Sequence, residues 1–272
     1  MQLKIISYNI WDLPLWFVKN RKKRVKDAVK YLASSGADII CIQESWHLGT
    51  RKEILYKLFS EAGYFYASGR DKPILYGNSG LVTLSKFPIR SKEFSKFPPV
   101  FPILGQFQEL FTGRGVLETV IETPLGLLRV FNTHLHMPDY YKSRQIRLKQ
   151  MQSASEFIAL KNKDGMPSIF AGDFNEDKIW DAPDFMAYFK KLNFHYPFLE
   201  REDSYASTYR IENSFVDMWP NNYDMDHPKR FDYIFLNNIK KLGIEEVSYK
   251  PLYFNPTLSD HDPVEIILSD KK

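Results

Sequence analysis

The segment SIFAGDFN, residues 168–175, is the part of this chain that best indicates its fold. Its first four residues form a mostly apolar run, which predicts a buried strand, and the run ends in Gly172, Asp173 and Asn175. A glycine, aspartate and asparagine in this order could on their own form a β-turn. Because a strand precedes them, we favour a carboxylate and an amide held at a strand end, where a rigid scaffold positions catalytic residues.

Five other short segments repeat this arrangement along the chain. In each, an oxygen ligand or a proton carrier follows or borders a predicted strand. The segments are SYNIWDLP (7–14) with Asn9, CIQESW (41–46) with Glu44, NTHLH (132–136) with His134, FDYIF (231–235) with Asp232, and LSDHDP (258–263) with Asp260 and His261. One such motif is weak evidence, but the whole series predicts a single metal-dependent site.

The order and wording of these motifs resemble the endonuclease/exonuclease/phosphatase superfamily. That group includes deoxyribonuclease I, exonuclease III, inositol polyphosphate 5-phosphatases and neutral sphingomyelinases. The resemblance runs from the strand before Asn9 to the strand after His261. It implies an α/β fold, a two-sheet α/β sandwich with the sheets face to face and helices outside. It also implies Mg²⁺-dependent hydrolysis of a phosphoester.

Length and composition are those of a globular protein. A chain of 272 residues can form one large domain or two small ones, and the spread of the motifs predicts one catalytic domain over residues 1–272. The hydrophobic fraction is 44% and the charged fraction is 26%, both ordinary values. The net charge of +4 is compatible with an anionic substrate or a membrane surface, but it is much lower than the strong positive charge that nucleic-acid-binding proteins often carry.

The sequence predicts no membrane-spanning segment, because it contains no apolar run of membrane-spanning length. The first predicted strand begins almost at Met1, which leaves no room for a signal peptide. We therefore expect a cytoplasmic location, with peripheral membrane contact as an option. No obligate protein partner is evident. The lone cysteine, Cys41, lies in an apolar run and is expected to be a small buried hydrophobe.

Periodicity predicts alternating strands and helices. The predicted strands are Leu3–Tyr8, Ala37–Gln43, a strand within Gly77–Ile89, the hairpin Val116–Glu122 and Leu127–Thr133, Ser168–Ala171, Phe231–Leu236 and Val264–Leu268. The predicted helices are Asn20–Ser34, Thr50–Ala62 and Tyr141–Leu160. The basic stretch Lys19–Lys26 is interpreted as the solvated face of the first helix rather than a nucleic-acid patch.

The metal-binding residues follow from the resemblance and from the chemistry of Mg²⁺. This ion prefers oxygen ligands and is typically held by one or two carboxylates plus substrate phosphate. The resemblance makes Glu44 the direct ligand and Asp260 a second metal-side carboxylate, and the Asn9 amide oxygen can bind the metal or its water. Mn²⁺ is a possible substitute. Asp12 stays open between a cap and a functional role, because Trp11 stands where abasic-site endonucleases carry an acid.

The resemblance also assigns catalytic roles. Asp173 orients or deprotonates the attacking water, and Asn175 binds the phosphate or positions Asp173. His261 contacts the phosphate, with Asp232 fixing its tautomer, and its ordinary pKa suits work at neutral pH. The base is either Asp173 or His261.

The resemblance implies that His134 stabilises the pentacovalent phosphorus or assists the leaving oxygen. His136 is either a supporting or a core residue. Arg147 and Gln150 are expected to support the loop after His134.

The expected substrate is inferred from the sequences of three motifs. NIWDLP (9–14), GNSGLVTLSKFPI (77–89) and GRGVL (113–117) most resemble neutral sphingomyelinases, which implies a choline phospholipid at a membrane surface and release of phosphocholine. A nuclease acting on nucleic acid is the alternative. A non-catalytic lipid-binding relative is disfavoured because no catalytic position has been lost. The aromatic segment Lys96–Phe111 is either a lipid-contacting loop or part of the core.

Overall fold

In the computed structural model of the protein, the residues that can be described are 1–13, 20–46, 51–69, 78–99, 113–137, 143–197, 206–216, 227–254 and 256–270. The strands in these ranges are β1 (Gln2–Asn9), β2 (Ile39–Gln43), β3 (Phe65–Ser68), β4 (Val82–Ser85), β5 (Ile89–Lys96), β6 (Gly115–Thr123), β7 (Gly126–His134), β8 (Ser168–Asp173), β9 (Asp232–Asn237), β10 (Ile244–Pro251) and β11 (Val264–Asp270). The helices are α1 (Arg21–Ser34), α2 (Arg51–Glu61), α3 (Ser143–Lys161) and α4 (Pro183–Lys191).

The described strands form two mixed sheets. One has the order β10-β11-β1-β2-β4-β3, and the other has the order β5-β6-β7-β8-β9. Within them, β1 runs parallel to β2, and β7 runs parallel to β8. The central strands β1 and β2 of the first sheet contact β7 and β8 of the second, so the sheets face each other.

Both faces of the six-stranded sheet are covered, and β1 shows how. Ile5 joins the core between the sheets, while its neighbour Ile6 joins a second cluster that includes Val25 and Leu32 of α1. Successive strand residues point to opposite faces, so a strand covered on both sides is apolar throughout. Met151 of α3 packs in the same core as the five-stranded sheet. The fold is the two-sheet α/β sandwich with outer helices that the resemblance implies.

Most predicted elements are present within one or two residues of their predicted ends. The strands β3, β5 and β10 and the helix α4 were not predicted. Strand β5 has the sequence IRSKEFSK, most of whose side chains are exposed, so it carries no apolar alternation. Strand β10 contains a register shift between Glu246 and Ser248, which interrupts its period of two.

The structure decides between the two options for the start of the aromatic segment and corrects one prediction about a basic side chain. Phe97 is only 4% exposed and packs in the hydrophobic core, which is the second of the two options for that segment. The rest of that aromatic segment, from residue 100 onward, lies outside the described residues. Arg24 was placed on a solvated helix face, but it is buried and donates hydrogen bonds to the carbonyls of Ile10 and Trp11. Its neighbours Lys22, Lys23 and Lys26 are exposed as predicted.

Cys41 is buried and unpaired, as predicted. None of the described helices combines the length and the apolar character needed to span a membrane.

Candidate active site

Strand register brings three of the predicted residues side by side. In the five-stranded sheet His134 pairs with Asp173, and Asp173 pairs with Asp232 on its other side. Residues directly opposite each other on neighbouring strands point to the same face, so the three side chains lie in a row. In the other sheet, the parallel pairing of β1 and β2 brings Asn9 opposite Gln43, one residue before Glu44.

A pair of buried amides joins the two sheets beneath this row. Gln43 Nε2 donates to Asn132 Oδ1 at 2.8 Å. Asn132 Nδ2 in turn donates to the carbonyls of Ile42 at 3.1 Å and Val82 at 3.0 Å. Because Asn132 lies two residues before His134 on β7, it shares that residue's face of the strand. These bonds fix how one sheet lies over the other close to the candidate site.

Asp173 lies at the centre of the cluster. Its Oδ2 atom accepts a hydrogen bond from Asn9 Nδ2 at 2.9 Å. The same oxygen lies 3.5 Å from His134 Nε2 and 3.7 Å from His261 Nε2. Asn9 Nδ2 also donates to Glu44 Oε1 at 3.1 Å. The side chains of Asn9, Glu44, His134, Asp173 and His261 thus converge from both sheets.

His261 and Asp232 form a hydrogen-bonded pair. The Nδ1 atom of His261 lies 2.8 Å from Asp232 Oδ2, which leaves Nε2 directed toward Asp173. Burial acts to lower the pKa of His261, but the charges of Asp232, Asp173 and Asp260 outweigh it and hold the pKa well above its ordinary value. The pKa of Asp173 is raised as well, to about 7, by burial and by the charge of Asp232. His261 and Asp173 therefore both retain a proton readily.

His134 has the opposite surroundings. Its pKa is well below the ordinary value because of burial and the positive charges of Arg114 and His261. Arg114 is itself buried and donates to the carbonyl of Leu135 at 2.6 Å. The sequence analysis assigns no role to Arg114. Arg114 lies in GRGVL, one of the segments that resemble neutral sphingomyelinases, and that resemblance could have indicated it.

The predicted metal side contains two carboxylates, those of Glu44 and Asp260, and the charge of Asp260 acts on Glu44. Glu44 Oε2 is buried and has no hydrogen-bond partner among the described residues. Burial and the charge of Asp260 raise the pKa of Glu44 to about 7. Like charges held together away from water favour a bound cation. The oxygen donors of Glu44 and Asp260 suit Mg²⁺, so the residues present fit that ion.

The side chain of Asn9 is held by hydrogen bonds to two carboxylates and to the backbone. Its amide nitrogen bridges Glu44 and Asp173, and its Oδ1 atom accepts the backbone N–H of Trp11 at 3.0 Å. An amide oxygen has two lone pairs, so one remains for a metal or its water. Direct ligation by Asn9 stays a prediction.

Asp173, Asp232 and His261 form a second group able to hold a metal, with ligand atoms within 4.8 Å of one another. Their mutual hydrogen bonding and the imidazole nitrogen make this group less suited to Mg²⁺ than the carboxylates of Glu44 and Asp260.

Unusual backbone conformations occur at several strand ends of the site. Glu44, Trp11 and Asn175 have φ angles of 54°, 49° and 52°, in the left-handed region that non-glycine residues rarely adopt. Gly172 has φ 153°, and a Cβ atom there would lie 2.1 Å from the carbonyl oxygen of Thr133 on the neighbouring strand. Only glycine fits that position.

Asn175 makes two hydrogen bonds at the turn after β8. Its backbone N–H donates to Asp173 Oδ1 at 2.9 Å, and its Nδ2 donates to the Leu135 carbonyl at 3.0 Å. The bond to Asp173 is made by the backbone, so both roles expected of the Asn175 side chain stay predictions.

The residues left open by the sequence have mainly structural surroundings. Asp12 is buried and accepts a hydrogen bond from Arg21 at the start of α1. The backbone N–H of His136 donates to Gln150 Oε1 at 2.8 Å. Arg147 donates to the buried Glu176 at 2.8 Å, directly after the GDFN segment. Arg147 and Gln150 therefore do support the loops around the site.

Comparison with known proteins places this geometry in a family. The family model described as "Endonuclease/Exonuclease/phosphatase family" matches residues 6–261. The inositol phosphosphingolipids phospholipase C of Schizosaccharomyces pombe is 26% identical, over 99% of this chain and 69% of its own length.

Two solved structures share the fold over the full length of both chains. Sphingomyelinase C from Streptomyces griseocarneus has a TM-score of 0.72 at 17% identity. A Staphylococcus aureus beta toxin mutant with bound magnesium ions has a TM-score of 0.66 at 21% identity. The family match covers nearly the whole chain and both sheets that build the site. This chain therefore belongs to the endonuclease/exonuclease/phosphatase family, whose members are hydrolases that use divalent metals to act on phosphoesters.

Proposed function

We propose that the protein is an Mg²⁺-dependent phosphodiesterase of the sphingomyelinase type, which hydrolyses a choline phospholipid and releases phosphocholine. The observation that carries this proposal is the convergence of Asn9, Glu44, Asp173 and His261 around one point. The choline headgroup rests on the sequences of the motifs, while the Schizosaccharomyces pombe relative, named for inositol phosphosphingolipids, supports a phosphosphingolipid substrate without supporting that headgroup. We further propose that residues 1–272 form one catalytic domain, because the site draws on residues from both ends of the chain.

Glu44 and Asp260 would hold the metal, with the amide of Asn9 fixing the Glu44 carboxylate. The bound cation supplies charge neutralisation at the phosphoryl group and assistance to the leaving alkoxide. The protein holds both carboxylates in place and shields them from bulk water before the substrate binds. The buried position of Glu44 serves this, since a water-excluded site strengthens electrostatic interactions with the reacting phosphate.

Attack by water on phosphorus requires a group that removes a proton. Asp173 and His261 are the two candidates, with Asp173 Oδ2 and His261 Nε2 3.7 Å apart. Asp232 holds the other imidazole nitrogen, so His261 presents Nε2 in a fixed direction. On the opposite side His134, whose pKa is lowered, is available as a neutral hydrogen-bonding group for the developing charge or the leaving oxygen.

The test is an assay of the purified protein on sphingomyelin vesicles, an inositol phosphosphingolipid and abasic DNA, with Mg²⁺ and with chelator. We expect phosphocholine release from sphingomyelin that requires the divalent cation. Glu44→Ala should lose activity, and high Mg²⁺ should restore part of it. Glu61→Ala is the matched control, because Glu61 is an exposed carboxylate on α2.

Three outcomes would change the assignment. Full activity in excess chelator would overturn the metal requirement. Release of inositol phosphate with no phosphocholine would keep the phosphodiesterase and change the headgroup. Cleavage of abasic DNA without lipid hydrolysis would move the protein to the nuclease branch.

A further inference from the structure

A short segment, residues 206–210, lies against the His261–Asp232 pair, and its residues Thr208 and Tyr209 are buried. Thr208 at its centre is fully buried. The Thr208 hydroxyl oxygen accepts the backbone N–H of Phe231 at 3.1 Å and that of Asp232 at 3.3 Å. The carbonyl oxygen of Thr208 accepts the backbone N–H of Asp262 at 2.7 Å. One residue is thus bonded to Asp232 itself and to the residue that follows His261.

The neighbours of Thr208 contact the same pair. The ring of Tyr209 lies edge-on to the His261 imidazole, with centroids 5.1 Å apart. Arg210 forms an ion pair with Asp262, in which Nη2 lies 3.2 Å from Oδ1. From the other direction, the buried Arg230 donates from Nε to the carbonyl of Asp232 at 3.0 Å and from its guanidinium to the carbonyl of Ala206.

Strand pairing within each sheet does not determine the distance between Asp232 and His261. Asp232 begins β9, an edge strand of the five-stranded sheet, whereas His261 precedes β11 in the other sheet. An edge strand has backbone groups with no strand partner, and buried N–H groups require an acceptor. The Thr208 hydroxyl accepts the Asp232 N–H, and the Thr208 carbonyl ties the His261 segment to the same point.

We propose that Thr208 is a positioning residue for the reaction. Its hydroxyl and carbonyl set the separation and orientation of Asp232 and His261, and so the direction of His261 Nε2. It does not touch the reacting atoms. This inference rests on the proposed function only in giving His261 a part in turnover, and the geometry of the pair can be measured without turnover.

The experiment compares Thr208→Val, which keeps the shape and removes the hydroxyl, with Thr208→Ser, which keeps the hydroxyl. Thr119→Val is the matched control, because Thr119 is an equally buried threonine on β6 that bonds to the carbonyl of Val130 rather than to the pair. Two quantities are measured. One is kcat and KM for phosphocholine release, and the other is the NMR signal of the His261 Nδ1–H proton in metal-free protein, assigned by its loss in His261→Gln.

For Thr208→Val we expect kcat to fall about tenfold or more, equivalent to about 1.4 kcal/mol in the barrier, with little change in KM. The Nδ1–H signal should move upfield, as expected for a longer bond to Asp232. Thr208→Ser should retain kcat within about threefold and keep the signal position. Thr119→Val should change neither quantity. If Thr208→Val does not fold, Thr208→Ala replaces it in the comparison with Thr208→Ser.

Wild-type kcat and an unmoved signal in the hydroxyl-free variant would overturn the inference. Equal losses of kcat in the serine and hydroxyl-free variants would also overturn it, because the effect would then follow packing. If the wild type hydrolyses no lipid but the signal still moves in Thr208→Val alone, the positioning role stands and the proposed function fails.

Discussion

The two histidines of the site belong to opposite sheets, and their surroundings shift their pKa values in opposite directions. His134 ends β7 in the five-stranded sheet, and His261 precedes β11 in the six-stranded sheet. Both direct Nε2 toward the same oxygen of Asp173, at 3.5 Å and 3.7 Å. Both are buried, yet the pKa of His134 is lowered and that of His261 is raised.

The difference comes from what lies beside each ring. His261 Nδ1 is bonded to Asp232, whereas His134 Nδ1 has no hydrogen-bond partner among the described residues and Arg114 lies nearby. Burial lowers the pKa of an imidazole, and at His261 the nearby carboxylates reverse that effect. The two rings therefore differ in how readily they take up a second proton, although both face the same carboxylate.

The largest expected effect is at His261. His261→Gln removes the group that can hold the water proton, so kcat should fall by about 10³–10⁴, the upper range for a positioned acid or base. The measurement is kcat with saturating Mg²⁺, with circular dichroism as the control for folding. Activity within about tenfold of wild type would contradict the role assigned to His261.

Asp232→Asn should convert the surroundings of His261 toward those of His134. Without the carboxylate the pKa of His261 should fall, and kcat should drop by about 10²–10³, since the imidazole loses its charge partner and its fixed tautomer. The check is the histidine NMR titration beside the kcat profile against pH. An unchanged His261 titration would show that Asp173 and Asp260 alone hold the pKa up.

His134→Gln should have a smaller effect, because glutamine can still donate a hydrogen bond where a neutral imidazole did. We expect a loss of about 10–10² in kcat, comparable to removal of one hydrogen bond in the transition state. A loss as large as that of His261→Gln would break the contrast between the two rings. His136→Gln serves as a comparison, because the His136 backbone rather than its ring makes the bond to Gln150.

The smallest effect is on stability, and it depends on pH. The pKa values of Glu44 and Asp173 are both raised to about 7, so the folded protein binds protons that the unfolded chain has released. The contribution of these two carboxyl groups to the free energy of unfolding is then fully present below their ordinary pKa and is lost as the pH rises through about 7. The raised pKa of His261 acts in the same direction, and the lowered pKa of His134 opposes it only up to its ordinary value.

Mg²⁺ should reverse this loss, because metal binding requires deprotonated ligands. We expect Mg²⁺ to raise the Tm by a few degrees at about pH 8 and by less at about pH 5.5. Thermal unfolding with and without Mg²⁺ measures this, and Glu44→Gln should reduce the difference. Equal stabilisation at both pH values would contradict the raised carboxyl pKa values.

The sequence could predict that the site residues lie at strand ends and form one site, but not which of them are direct neighbours across the strands. Apolar runs with polar ends identified the segments of Asn9, Glu44 and Asp173, because buried strands leave a clear pattern. The row formed by His134, Asp173 and Asp232 depends on strand register, which no local pattern contains. The roles of the individual site residues, and the single domain, stay predictions.

Burial that arises from tertiary contacts leaves no apolar pattern in the sequence. Thr208 and Arg114 are polar residues in segments without an apolar period, and their burial depends on distant partners. Arg24 was misread for the same reason, since a charged residue on a basic helix is expected to face water. Its actual acceptors are backbone carbonyls that follow β1, together with that of Leu258 from the far end of the chain.

The left-handed backbone at Glu44 implies a conflict between durability and turnover. Such a conformation costs a non-glycine residue about 1–3 kcal/mol, and glycine would adopt it freely. A population selected only for heat resistance should therefore accumulate glycine at position 44, losing a buried carboxylate along with the strain. If Glu44 holds the metal as proposed, glutamate should be retained only in a population that is selected for hydrolysis as well, so the residue found at position 44 would distinguish the two selections.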